Sequence, residues 1–413
     1  MMPSQSQTER RGKLLFLLLC MGACLPMSMA QSNQPPLSQE RPIWAVKAKQ
    51  VGYKSSMFRN FRPTVGGDRV KIQFLDDQRL ALAWLTPDET GAKLIGPATN
   101  VPSHLHLTIL DAHTGQQISK HEWPCSSVGV NLACTASGQW LLSSDKTVTL
   151  YSPSFDKVRD LQNARTETFH TFISPSGRTF LTYVADSRGA RSAQLRDSAT
   201  FEVVDSWNDA RVAEAFLAYS DHFILAQVTK PRTPPQLYVR EIGGSWKPCA
   251  VAVQDSLLAR GSTYGFINDD TLVSFRRNEL VLETVGGTEL FSSTVPEAGL
   301  FLPTWSKPAT SKGGERFALI LDRLRGPRNE KLDMYFPSED RVVVYSIPQR
   351  GVVFSVKVKG ESPWAALAPW AALVPSHLVG NRIALSPDGQ LLGIVSDGGV
   401  RVYALPPAEQ EKR

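Results

Sequence analysis

His104 and His106 stand two residues apart and form the first pair in this 413-residue chain that could do chemistry. On an extended strand, residues i and i+2 share a face, and some metal sites present two imidazoles in this way. No third ligand is identifiable beside them, so the pair reads as a solvated strand start, and neither a metal nor a cofactor is expected. Other chemical signatures are missing. The sequence holds no G-x-S-x-G elbow, no H-E-x-x-H, no EF-hand loop, no P-loop and no glycine-rich dinucleotide turn. Of five cysteines, Cys20 and Cys24 fall in an apolar leader. Cys125, Cys134 and Cys249 remain, an odd and sparse set that is no disulfide framework. Cys134 falls at an apolar position, so buried thiols are expected.

Binding chemistry is more visible than catalytic chemistry. A tandem hexad, Pro363-Trp364-Ala365-Ala366-Leu367-Ala368 followed by Pro369-Trp370-Ala371-Ala372-Leu373-Val374, is too apolar for an ordinary solvent loop. Trp364 and Trp370 are candidate anchors, since tryptophan dominates binding hot spots. Their alternative role is structural, as plugs packed against neighbouring elements. Tyr335 and Phe336, beside Leu332 and Met334 and among Arg325, Arg328 and Lys331, would extend the same patch.

The elements that position these residues belong to an exported chain. Arg10-Arg11-Gly12-Lys13 precedes the apolar run Leu14 to Leu25, Pro26 ends it, and Ser28-Met29-Ala30 supplies small residues for a signal peptidase. Residues 1–30 thus read as a signal peptide, too short in its apolar part for a span of about 20 residues. Met21-Gly22-Ala23-Cys24 offers a second outcome, lipid anchoring at Cys24. A periplasmic or extracellular location follows, with no transmembrane span after signal removal. Residues 31–40 are a polar, proline-containing lead-in expected to be disordered. The formal charge of +6 is a weak field over this length, without a Lys/Arg stripe interleaved with aromatics, so nucleic acid is not an expected partner. A monomer is expected.

Residues 41–413 read as one domain built from a repeat. The clearest units are His170 to Trp207, Arg382 to Pro406 and Val130 to Leu161. Each runs apolar strand, Ser/Pro/Asp-Gly turn, apolar strand, variable turn, alternating strand, short turn, last strand. Looser copies begin near Lys71, Arg211, Ser262 and Gly299. Strands at such regular spacing predict an all-β closed array of four-stranded antiparallel blades. The last unit has only three strands, and Arg41 to Val51 stands alone before the first. An N-terminal strand completing the C-terminal blade gives seven blades. With the S-P-[DS]-G turns at Ser174–Gly177 and Ser386–Gly389, and strand-ending Tyr151, Tyr345 and Tyr403, the chain resembles the WD40-like seven-bladed β-propellers of exported bacterial proteins. The resemblance implies the fold alone. The Gly-His and Trp-Asp dipeptides of true WD40 repeats are absent, so that family's ligand habits do not transfer.

That fold gives the remaining candidates their places. Asn131, His170 and Arg382 each stand seven residues before a turn glycine, where inner strands begin at the channel mouth. A polar ring there could bind a small ligand or hold water. Insertions at Thr86 to Ser103, Thr229 to Gln236, Asp322 to Asp340 and Glu361 to His377 gather on one face; Ser306 to Gly314 is the exception on the smoother one. Long loops at one end of a rigid scaffold are where function usually resides. The expected function is therefore a non-catalytic scaffold engaging a protein, polymer or surface through its loop-rich face. The alternative is a lyase or hydrolase acting on a small or glycosidic substrate at the channel mouth.

Overall fold

A computed structural model of the chain describes residues 41–53, 70–87, 102–126, 131–144, 147–162, 169–174, 176–185, 191–207, 216–228, 236–249, 265–276, 279–294, 300–301, 308–329, 334–358, 382–396 and 398–407. Every repeat forms an antiparallel four-stranded meander, its strands labelled a to d from the inside outward. Blade 1 comprises Val70–Phe74, Arg79–Pro87, Pro102–Asp111 and Gln117–Ser126; blade 2 comprises Asn131–Cys134, Trp140–Ser144, Thr147–Tyr151 and Lys157–Gln162. Blade 3 holds Phe169–Ile173, Thr179–Ala185, Arg191–Asp197 and Val203–Trp207, and blade 4 holds Phe216–Tyr219, Phe223–Val228, Gln236–Glu241 and Lys247–Pro248. Blade 5 is Gly265–Phe266, Thr271–Arg276, Glu279–Thr284 and Glu289–Thr294.

In blade 6 the long strands b and c, Arg316–Asn329 and Met334–Ser346, are followed by d, Gly351–Val358. Its strand a is divided: Leu300–Phe301 and Ala309–Thr310 both pair with strand b. Two expectations change here. Ser306 to Gly314 is not an enlarged turn, because Ala309–Thr310 already pairs with strand b and the a–b turn of blade 6 spans only Ser311 to Glu315. Asp322 to Asp340 is not a loop either. Its residues 322–329 and 334–340 extend strands b and c as a β-ribbon, with Arg323 opposite Glu339 and Arg325 opposite Phe336.

Alternating side chains on each strand serve two interfaces. In strand b of blade 1, Leu80, Leu82 and Trp84 pack toward blade 7, while Ala81 and Ala83 pack toward blade 2. The same division recurs around the molecule. Leu107 and Trp140 share a core between blades 1 and 2, as do Leu150 and Phe180 between 2 and 3, and Leu195 and Ile224 between 3 and 4. Leu225 and Leu272 join blades 4 and 5, Leu282 and Phe317 join 5 and 6, Val344 and Leu392 join 6 and 7, and Val402 and Leu82 join 7 and 1. Seven junctions close on themselves. The chain is a seven-bladed β-propeller.

Closure is made by the N-terminal segment. Strands a to c of blade 7 are Ile383–Leu385, Leu391–Ser396 and Gly399–Ala404, and Trp44–Lys47 is its strand d, with Trp44 opposite Val402 and Lys47 opposite Gly399. Gly399 has φ +132°, and a Cβ there would lie 2.0 Å from the Val46 carbonyl oxygen, so only glycine admits the closing strand. The Trp44 indole N–H donates to the Ala112 carbonyl at 2.8 Å, reaching into blade 1. A single helical turn, Ala48–Val51, then delivers Val51 and Tyr53 into the core between blades 7 and 1.

Candidate interaction face

The two ends of the propeller are built differently. At one end every a–b and c–d turn between described strands is three to five residues long. Their geometry is set by hydroxyl side chains. The Ser174, Ser311 and Ser386 backbones each close the a–b turn, while their Oγ atoms accept the N–H of Thr179, Arg316 and Leu391, respectively. Thr135 does the same for Gln139, its closing bond spanning one residue fewer.

These turns also hold one another. Ala136 N–H donates to the Gly177 carbonyl, Thr179 Oγ1 to Asp221, and Ser220 Oγ to the Asp269 carbonyl, linking blades 2 to 5 in succession. Lys312 N–H donates to the Pro387 carbonyl, and Asp388 N–H to Asp77, linking blades 6, 7 and 1. The polar groups that make these bonds are committed to the scaffold.

The opposite end carries the b–c and blade-to-blade connections, which vary from two residues to the long spans between Pro87 and Pro102, Pro248 and Gly265, and Val358 and Ile383. The connection between Pro248 and Gly265 was not singled out from the sequence, because its apolar residues resemble a strand. Asn131 opens strand a of blade 2 opposite Ser143, and His170 lies in strand a of blade 3 opposite Tyr183. Arg382 is half-buried immediately before strand a of blade 7, where its carbonyl accepts the Val395 N–H at 2.9 Å. All three thus occupy the same register level at the long-connection end. Tyr335 and Phe336 lie on the backbone of the blade 6 ribbon. Trp364 and Trp370 lie outside the described residues.

The histidine pair differs from the sequence reading. His104 is half-buried, and the His106 side chain is only 14% exposed, with its ring stacked 5.3 Å from that of Trp84. Glu122, opposite His106 on the next strand, approaches both: its carboxylate oxygens lie 2.9 Å from His104 Nδ1 and 3.2 Å from His106 Nδ1. The strand start is half core. The signal available in the sequence was Trp84, whose hairpin register brings it opposite His106. Among the described residues no group of three or more His, Cys, Asp or Glu side chains is arranged to hold a metal ion. No helix among them is long and apolar enough to cross a membrane.

No family model matches the chain, and no curated protein matches it. Solved structures do resemble it. An uncharacterized protein, lmo1340 of Listeria monocytogenes EGD-e, is 13% identical over 85% of this chain and 97% of its own, with a TM-score of 0.45. The Pan2 WD40 domain of Neurospora crassa is 12% identical, covering 68% of this chain and 91% of its own, at 0.37. The putative TolB of Agrobacterium tumefaciens is 13% identical, covering 70% and 95%, at 0.39.

Proposed function

We propose that this propeller is an exported, non-catalytic scaffold that engages a protein, polymer or surface through its long-connection face. The observation that carries the reading is the contrast between the ends: one is a girdle of short turns hydrogen-bonded to one another, the other receives all the variable connections. A rigid ring that presents irregular chain at one end is suited to recognition. Trp364, Trp370, Tyr335 and Phe336 supply the apolar anchors in this reading, and Asn131, His170 and Arg382 a polar level beside them. Export rests on the basic-apolar-small order of residues 1–30, which also leaves lipid anchoring at Cys24 as a route to a surface.

The test uses the mature protein as bait for cross-linked partners, with two sets of variants. Alanine at Trp364, Trp370, Tyr335 and Phe336 should abolish capture while melting is unchanged. Alanine at Ser137 and His113, on the short-turn end, should leave capture intact. A small molecule retained by the native protein in mass spectrometry, and lost on replacing Asn131, His170 and Arg382, would instead favour a channel-mouth enzyme.

A further inference from the structure

His106 couples the outer part of blade 1 to the closure of the ring. Its Nε2 lies 2.6 Å from Thr86 Oγ1 of strand b, and its Nδ1 lies 3.2 Å from Glu122 of strand d. One flank of the imidazole is covered by Trp84, which is buried with Val51, Tyr53 and Val402 in the core between blades 7 and 1. The Tyr53 ring centre is 6.2 Å from that of Trp84, and a Cβ on Gly52 would lie 3.3 Å from the indole. Trp84 is therefore the seat on which the N-terminal segment rests after leaving strand d of blade 7.

This slot suits a neutral ring. A neutral ring with its proton on Nδ1 leaves Nε2 to accept the Thr86 hydroxyl, while Nδ1 lies 3.2 Å from Glu122 without hydrogen-bond geometry. A second proton converts Nε2 to a donor and forces that hydroxyl to find another acceptor. Among the described residues, the charged groups facing the ring are Glu122 and Lys120 from strand d and His104 from its own strand. Tyr53, from the N-terminal segment, has its hydroxyl engaged by the Ser396 carbonyl at 2.9 Å. Glu122 favours the imidazolium, yet its side chain is 48% exposed and its attraction is screened by solvent. Burial acts in the other direction and dominates, holding the His106 pKa below its ordinary 6.5, with Lys120 and His104 adding to the lowering.

We propose that His106 is an acid-sensitive latch on ring closure: its neutral ring holds Trp84 in place for residues 48–53, and protonation releases that segment. As pH falls through about 6.5 the unfolded ring takes up its proton before the folded one, so stability present above that value is lost below it. The loss is complete once pH has passed beneath the folded ring's lower value.

Hydrogen–deuterium exchange of the full mature chain at pH 7.5 and 5.0, corrected for intrinsic rates, reads the latch at residues 43–53. Protection there should fall at least tenfold on acidification, and this change should vanish in His106→Phe, which keeps an aromatic ring on Trp84. His121 is the control. Burial against Phe155 lowers its pKa too, so His121→Phe should retain the acid response at residues 43–53. Equal protection at both pH values, or an acid response persisting in His106→Phe, overturns the proposal. NMR titration of His106 in the unmodified protein tests it without a mutation: a value at or above 6.5 contradicts it.

Discussion

Phe155, Phe201 and Arg350 adopt left-handed backbone, at φ +70°, +63° and +47°, in the c–d turns of blades 2, 3 and 6. Glycine does this work at Gly115, Gly243 and Gly287 in blades 1, 4 and 5. The turns of blades 1 and 3 are the same structure: Asp111 and Asp197 each accept two backbone N–H groups and a threonine hydroxyl, and Gly115 and Phe201 occupy one position. A Cβ at Gly115 would lie 2.7 Å from the Trp44 indole, which excludes any side chain there. Phe201 has room instead, and its ring is buried edge-on against Phe180 at 5.1 Å. Burying a phenylalanine contributes about 3 kcal/mol against about 1–2 kcal/mol for the left-handed conformation. Phe201→Gly should therefore lower stability by about 2 kcal/mol in denaturant melts. Arg350 is exposed, so Arg350→Gly should raise it by about 1 kcal/mol. Equal effects at the two sites would show that packing does not hold Phe201. Among the cysteines, burial pushes the Cys134 thiol up to about 11. Cys125, Cys134 and Cys249 are thiols, and Cys134 in particular should resist labelling until the protein is denatured, when all three react. A Cys125–Cys134 disulfide found by mass spectrometry would contradict this.

At the scale of elements, the closing strand and the buried pair between blades 3 and 4 can be tested separately. Deleting Gln31 to Gln50 exposes the edge of blade 7 and removes Trp44, Val46 and Ala48 from their packing. The cost should reach about 4 kcal/mol or more, whereas deleting Pro407 to Arg413 should cost almost nothing in a thermal melt. Asp205 and Arg240 form a buried ion pair at 2.7 Å, the Arg240 guanidinium lies 5.3 Å from the Trp207 ring centre, and Asp205 also accepts the Gly243 N–H. Asp205→Ala should cost about 3–5 kcal/mol by leaving a buried charge unpaired, and an apolar pair at both positions should restore most of it. No sequence signal marks that pair, because its partners lie in different repeats. The closing strand was legible for the converse reason. An unfinished last blade and an isolated first strand are complementary absences in one repeat pattern.

The ring and its blade count were readable because strand alternation and turn glycines recur with little variation, and each junction needs the same apolar contribution from two neighbours. The two segments of strand a in blade 6 and the ribbon formed by residues 322–329 and 334–340 were not. Both depend on pairing with strand b, which overrides a proline- and charge-rich composition that reads as loop. Candidate binding residues were partly legible. Register places Asn131, His170 and Arg382 at one level, as the turn-glycine spacing implied, whereas the core half of the histidine pair emerges only when Trp84 is folded beneath it. In the proposed function one end of the propeller is scaffold and the other is the working face. Hydroxyl-radical footprinting of the mature protein, alone and with its cross-linked partner, tests this most directly. Protection is predicted at residues 88–101, 359–381 and the blade 6 ribbon, with the a–b and c–d turns unchanged. Protection confined to those short turns would place the working face at the opposite end from the one proposed.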